Sequence, residues 1–167
     1  MILRLLTAPN STRLRWHLHV MSVFQDRGLR LLARYTAYRI QRRFGIYVAP
    51  TSKIARSVVF PHPTGIVIGE GVIVHDRTKI FQNVTLGGAR IGDQEACNYP
   101  EIGSDTVIFA GAVVVGNVRI GANCVIGANS VVLTHIPDNS VAVGVPARIV
   151  RTAVTPTASA SFTETRS

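Results

Sequence analysis

The sequence is short of cysteines and of long apolar runs, and these shortages exclude several classes of protein. Its two cysteines, Cys97 and Cys124, cannot build a disulfide framework, and no C-x-x-C or paired-histidine motif predicts a metal site. No apolar run approaches the roughly 18 residues of a transmembrane helix. The apolar start of the chain is broken at Arg4 and is too short for a secretory signal, so we expect a cytoplasmic protein.

Positive charge is concentrated at one end of the chain. The 167 residues carry a net charge of +9, and residues 1–53 account for all of it, with ten Lys/Arg and Asp26 as their one acidic residue. A basic segment of this kind suits an anionic membrane, a nucleic acid or an acidic partner. No nucleic-acid recognition motif accompanies it, so we expect no nucleic-acid binding.

A period of six residues runs through the centre of the chain and predicts the fold. An α-helix cannot produce this period, because its apolar face recurs about every 3.6 residues. The residue after each periodic position is often glycine, and the residue four positions on is small or β-branched. Twelve positions keep the period and are aliphatic or phenylalanine: Ile54, Phe60, Ile68, Val74, Ile80, Leu86, Ile102, Ile108, Val114, Ile120, Ile126 and Val132.

This period predicts an all-β solenoid in which each hexapeptide forms a short strand and a corner. The aliphatic side chain points inward, Gly, Asn and Asp accept the corner conformations, and three hexapeptides close a coil of roughly eighteen residues. Two interruptions break the period. Phe60 and Ile68 are eight positions apart, which is two more than one hexapeptide. Leu86 and Ile102 are sixteen positions apart, which is four more than two hexapeptides. Insertions in a solenoid form outward loops that often carry function.

Segments of different character flank the solenoid. Residues 11–44 have helical spacing, with Gly28 as a break and Gly45 as a stop, and the end of the chain is rich in Thr, Ser and Ala. We interpret the helices as a cap or a subunit contact with solvated arginines. Peripheral contact with an anionic membrane, at the inner face of the cell membrane, is the alternative. The expected parts are a basic helical segment over 1–46, the solenoid over 47–151 and a disordered tail over 152–167.

The first interruption places His62 between Pro61 and Pro63. The prolines restrict the backbone, so the imidazole is held on a bulged corner. An imidazole in such a position can take a proton from a hydroxyl group near neutral pH. A lone histidine in a loop is more often a surface residue, and only the motifs around His62 favour catalysis.

Three motifs occur in order along the chain: HPTGIVIGE, QNVTLGG and GVPARIV. Through them, residues 47–150 resemble the serine acetyltransferase family of hexapeptide acyltransferases. The resemblance implies a left-handed parallel β-helix, acetyl-CoA as acetyl donor, no metal, and a homotrimer with active sites between its subunits. It also implies direct acetyl transfer to a hydroxyl group, with His62 as the general base.

The same resemblance implies where the coenzyme binds. Gly87 and Gly88 would let the backbone approach the thioester and supply amides for the oxyanion. Ala110 and Ala128 would line the coenzyme groove. Pro146 and Arg148 would lie near the adenine and phosphates of the coenzyme. The loop over 89–101 is implied to reach over a neighbouring subunit's site. Neither cysteine is expected to carry the acyl group, because Cys124 lies at an inward position of the repeat and Cys97 has no catalytic partner near it in the sequence.

On the acceptor side the resemblance implies that Tyr47, Pro61, Asn98 and Tyr99 bind the substrate, and at these four positions the chain departs from the family pattern. The family has charged or histidine side chains at these positions, which orient the base and hold the carboxylate and amine of serine. Ala49 stands where the family has another histidine. A site without these ionic partners should bind a zwitterion poorly.

The predicted acceptor is therefore a sugar hydroxyl of an exopolysaccharide precursor. Short colanic-acid type O-acetyltransferases look similar in size, in their helical N-terminus and in an Ala-Cys pair, here Ala96 and Cys97. L-serine, as in cysteine biosynthesis, is the alternative acceptor, and a non-catalytic scaffold is the alternative to an enzyme. A zinc enzyme of the γ-carbonic anhydrase type would need three converging histidines, which the spacing of His62, His75 and His135 does not provide.

Overall fold

Two helices precede a stack of short strands in the computed structural model, which describes residues 10–89 and 98–152. Helix α1 spans Asn10–Asp26 and helix α2 spans Arg30–Phe44. Gly28 and Gly45 adopt left-handed conformations with φ of 71° and 64°, and the Gly45 N–H donates to the Gln41 carbonyl. Glycine reaches such angles without steric cost, and this confirms the predicted break and stop. The predicted tail lies outside the described residues from residue 153 onward.

Within the described part of the chain, fourteen short strands follow the helices. They are β1 Tyr47–Val48, β2 Lys53–Ile54, β3 Val67–Ile68, β4 Ile73–Val74, β5 Lys79–Ile80, β6 Thr85–Gly87, β7 Glu101–Ile102, β8 Val107–Ile108, β9 Val113–Val115, β10 Arg119–Ile120, β11 Val125–Ile126, β12 Val131–Val132, β13 Ser140–Gly144 and β14 Ala147–Thr152.

The strands form three sheets, and the chain visits the sheets in turn. Sheet 1 has the order β1-β3-β6-β9-β12, sheet 2 has β10-β7-β4-β2, and sheet 3 has β14-β13-β11-β8-β5. All pairs among the described strands are parallel except the β13–β14 hairpin. Partners such as Ile68 and Leu86, or Ile108 and Ile126, are eighteen residues apart, which is one coil. This three-sided parallel arrangement is consistent with the left-handed β-helix that the resemblance implies.

The periodic side chains form the core of the solenoid. Eleven of the twelve predicted positions are buried, each with 1% or less of its surface exposed. Ile54 is the exception and is only partly buried, in the first coil. The residues four positions on, from Val72 to Ser130, are buried as well. Each coil therefore buries two side chains per hexapeptide, and stacking of the coils joins them into one continuous core.

The predicted size of the second interruption is wrong. Leu86 lies in sheet 1 and Ile102 lies in the next sheet, sheet 2, so a single hexapeptide step separates them. Paired residues Leu86 and Val114 are 28 residues apart, whereas the pairs without an insertion are eighteen apart. The insertion therefore contains ten residues rather than four. Residues 90–97 of this loop, with Ala96 and Cys97, lie outside the described residues.

The two helices extend the same core beyond the first coil. Leu14, Met21 and Ile40 are buried together with Val48 and Phe60 of the solenoid. The apolar side of the helix pair thus covers one end of the stack, as expected for a cap. Neither helix is long and apolar enough to cross a membrane.

Candidate active site

His62 lies on the corner between sheet 3 and sheet 1, which we call the 3–1 corner (residues 61–66, 81–84, 109–112 and 127–130). Its side chain is exposed, while the backbone around it is held on both sides. The Gly65 N–H donates to the Gly45 carbonyl at 2.9 Å, and the Asn83 N–H donates to the Thr64 carbonyl at 3.0 Å. These bonds tie the bulge to the end of α2 and to the next coil, so His62 projects from a fixed backbone.

Aromatic rings lie beside the imidazole. The His62 and Phe81 ring centroids are 6.2 Å apart with an interplanar angle of 54°, and Phe81 stacks on Phe109 at 5.1 Å. The ion pairs of the described residues join His75 to Glu101 and Arg77 to Asp105, so no carboxylate among residues 10–89 and 98–152 pairs with His62.

Two of the predicted coenzyme residues lie on the same corner as His62. Ala110 is half-buried and Ala128 is exposed, and the Asn129 N–H donates to the Ala110 carbonyl at 2.9 Å. One coil nearer to His62, the Gly111 N–H donates to the Gln82 carbonyl at 3.0 Å. Two small side chains, Ala110 and Ala128, therefore lie on successive coils of the corner that carries His62, and a long, thin ligand can lie along this edge of the solenoid.

The other predicted coenzyme residues at this end of the chain lie beyond these two alanines. Pro146 is exposed in the turn between β13 and β14. Arg148 is exposed on β14, opposite Val143, and one of its guanidinium N–H groups donates to the Ala147 carbonyl. Its charge is thus available to solvent near the last coil.

Gly87 and Gly88 occupy a different corner, between sheet 1 and sheet 2, which we call the 1–2 corner. Gly87 ends β6, and a Cβ added there would meet no atom within 4 Å. Tyr99 also lies at this corner, with its ring against Gly71, and Asn98 precedes it. The width of sheet 1, about 10 Å for a three-residue strand, separates this corner from His62.

Sheet 1 presents an apolar outer face between the two corners. Tyr47 is 45% exposed and Val67 is 38% exposed on neighbouring strands, and Leu133 follows β12 with 53% exposed. Pro61 lies beside His62, whereas Tyr47 lies on this face. Within one chain, the predicted site residues therefore lie in two separate places. His62, Ala110 and Ala128 lie on the 3–1 corner, and Gly87, Gly88 and Tyr99 lie on the 1–2 corner.

Sequence reasoning missed three residues of the 3–1 corner. Phe81 and Phe109 directly follow the inward residues Ile80 and Ile108, so the repeat itself indicated that they share a corner. Gln82 follows Phe81, and its Oε1 is buried without a hydrogen-bond partner among the described residues. These side chains give the corner an aromatic surface beside the base.

Cys124 does not have the properties of an acyl carrier. Its side chain is fully buried, as the repeat predicts, and burial raises the pKa of its thiol. A buried thiol that stays protonated is a poor nucleophile. Within residues 10–89 and 98–152, no three His, Cys, Asp or Glu side chains group as metal ligands.

Comparisons with known proteins identify relatives of the solenoid. Residues 99–134 match the family model for the bacterial transferase hexapeptide (six repeats). The chain is 40% identical over 125 residues to the serine acetyltransferase of Salmonella typhimurium and 43% identical over 123 residues to that of Staphylococcus aureus. These matches cover 75% and 71% of this chain but 45% and 57% of the relatives. The chain therefore spans about half the length of the curated relatives it matches.

Solved structures of serine acetyltransferases are also similar to this chain. A serine acetyltransferase in complex with CoA superposes with a TM-score of 0.79 at 34% identity, covering 88% of this chain and 60% of that chain. A soybean serine acetyltransferase complexed with serine superposes with a TM-score of 0.76 at 36% identity, covering 80% and 54%. The resemblance to exopolysaccharide acetyltransferases gains no support from these relatives. The chain carries the bacterial transferase hexapeptide repeat, and its sequence and fold are similar to those of serine acetyltransferases.

Proposed function

We propose that this chain is an acetyl-CoA-dependent O-acetyltransferase that acts on the hydroxyl group of L-serine, with His62 as general base. The observation that carries the proposal is the 3–1 corner, where an exposed imidazole lies on the same edge of the solenoid as the small residues Ala110 and Ala128. A relative that binds CoA shares this fold over most of the chain. The elongated donor suits the edge, and a base at its end suits attack on the thioester.

The proposed reaction is a direct transfer between two bound substrates. The imidazole of His62 takes the hydroxyl proton as the hydroxyl oxygen attacks the thioester carbonyl carbon. The C–S bond then breaks, the imidazolium returns the proton to the departing sulfur, and the products are the O-acetyl ester and CoA. Backbone amides near Gly87 and Gly88 of a neighbouring subunit are proposed to bind the oxyanion.

The relatives favour L-serine over the sugar acceptor that the sequence alone suggested. The chain nevertheless has uncharged residues at Tyr47, Pro61, Asn98 and Tyr99. Each charge-assisted hydrogen bond that a zwitterion lacks costs about 1.5–3 kcal/mol of binding, or roughly 10- to 150-fold. We therefore expect saturable acetylation of L-serine with a high KM.

Release of CoA, followed by thiol colorimetry, tests the proposal with L-serine, L-threonine and a panel of sugars as acceptors. D-serine serves as the matched control, because it carries the same groups in the opposite configuration. Saturable turnover with L-serine above that with D-serine supports the proposal. Turnover with a sugar alone would replace the acceptor, and no turnover with any acceptor would favour the scaffold alternative.

A trimer with shared sites is proposed for the assembly, because the single chain keeps the two halves of the site apart. The apolar outer face of sheet 1 would be covered in such an assembly. A closed ring of three copies brings the 3–1 corner of one subunit to the 1–2 corner of the next. His62 of one copy would then act beside Gly87 of its neighbour.

Mixed trimers test this arrangement directly. Copies with His62→Ala and copies with Gly87→Val should each be inactive alone, and Gly87 has room for the added side chain within its own chain. When the two are unfolded and refolded together in equal amounts, roughly a quarter of the sites combine both intact halves, and about that fraction of activity should return. Recovery of no activity would contradict a shared site, and light scattering of each variant checks the assembly state.

Peripheral membrane contact through the basic N-terminal segment stays a prediction. Helix α2 carries five arginines and no acidic residue, and it exposes Leu31 and Tyr35 to solvent. Subunit contacts of a trimer would cover the same side chains. Co-sedimentation with phosphatidylglycerol vesicles, compared with phosphatidylcholine vesicles, separates the two interpretations.

A further inference from the structure

No carboxylate among residues 10–89 and 98–152 pairs with His62 to orient its imidazole, and an aromatic ring lies beside it. The centroid distance of 6.2 Å between His62 and Phe81 lies within the range of interacting aromatic pairs, about 4.5–7 Å. The two rings are tilted by 54°, so the phenyl ring of Phe81 lies beside the imidazole without stacking flat on it.

Phe81 is itself held firmly. Its N–H donates to the Ile108 carbonyl at 3.0 Å, and the Phe109 N–H donates to the Ile126 carbonyl at 3.0 Å. Both aromatic residues therefore leave the backbone at fixed ladder positions, one coil apart. Their rings stack at 5.1 Å with an interplanar angle of only 22°, so Phe109 packs against the ring of Phe81 from the next coil.

We infer that Phe81, supported by Phe109, is a positioning residue that orients the His62 imidazole for proton transfer. The inference rests on the proposed function, since it concerns the base of that reaction. Two properties of the ring serve this role. Its bulk restricts rotation of the imidazole on a corner where the backbone is already fixed, and its π face is attracted to the imidazolium that forms when His62 takes the proton.

Kinetics of Phe81→Leu test the positioning role. An aromatic pair contributes about 0.5–1.5 kcal/mol beyond its buried area, so we expect kcat to fall roughly 2- to 13-fold. The KM values for acetyl-CoA and serine should stay within about twofold of wild type, because Phe81 acts through the base. Phe81→Tyr keeps the ring and should keep kcat near the wild-type value. Tyr38→Leu removes an exposed aromatic ring from α2 and should leave kcat unchanged. An equal loss of kcat in Phe81→Tyr, or a change confined to KM, would overturn the inference.

NMR gives a readout that does not require acetyl transfer. With ¹³Cε1-labelled histidine, the His62 signal is assigned from His62→Ala among the five histidines. In Phe81→Leu this signal should lose the ring-current shift that a neighbouring phenyl group causes, while the His135 signal stays in place. An unmoved His62 signal would refute the contact. If the wild type transfers no acetyl group while the His62 signal still moves, the proposed function fails and the packing of Phe81 on His62 stands.

Discussion

Replacing His62 with alanine should lower kcat/KM for acetyl transfer by about 10²- to 10⁴-fold and leave the fold intact. A positioned general base contributes a factor of that size, and water is a poor substitute when the attacking hydroxyl group must lose its proton in the transition state. The side chain is exposed and the bulge is held by backbone hydrogen bonds, so its removal should not change the melting temperature. Initial rates of CoA release, with circular dichroism on the same samples, measure both quantities.

His135→Ala is the matched control for this variant. His135 is also an exposed histidine, but it lies beyond β12 on the sheet 2 side, where its Nδ1 accepts a hydrogen bond from the Arg119 N–H. It should keep nearly full activity. Equal rates in wild type, His62→Ala and His135→Ala would show that His62 is not the base, and the 3–1 corner would then need another proton acceptor.

Replacing Ile80 with alanine should lower the free energy of unfolding by about 2–5 kcal/mol, because it empties a fully buried position of the inward column. The loss is large because parallel coils above and below hold the site open. Ile80 pairs with Ile108 in the ladder, so the backbone cannot move inward to fill the space without breaking strand pairing. Urea unfolding followed by circular dichroism, at one protein concentration, measures the change.

Lys79→Ala separates this effect from a loss of strand propensity. Lys79 is the neighbouring residue in the same two-residue strand, and it points outward and is exposed. A surface substitution of this kind should change the unfolding free energy by no more than about 0.5 kcal/mol. Similar losses for both variants would mean that the stability of β5 comes from its backbone pairing and not from its inward side chain.

The fold was predictable because a solenoid repeats one local rule. Each hexapeptide places one aliphatic residue inward, so the positions from Phe60 to Val132 could be identified as buried from spacing alone. The size of the second insertion could not be predicted in the same way. A spacing of sixteen positions from Leu86 to Ile102 is equally compatible with one or two hexapeptide steps plus an insertion. The pairing of Ile102 with Val74 in sheet 2 shows that there is one step.

The inward column of the core, the corner that carries His62 and the likeness to serine acetyltransferases are all readable from the amino-acid order, because they depend on spacing and local motifs. Which residues share a corner depends on how the coils stack. Stacking brings Phe81 and Phe109 together beside His62 although 28 residues separate them in the sequence. It also places Gly87 on the far side of sheet 1, because each coil turns a corner after every short strand. That separation is the physical reason to propose that the two halves of the site meet between subunits.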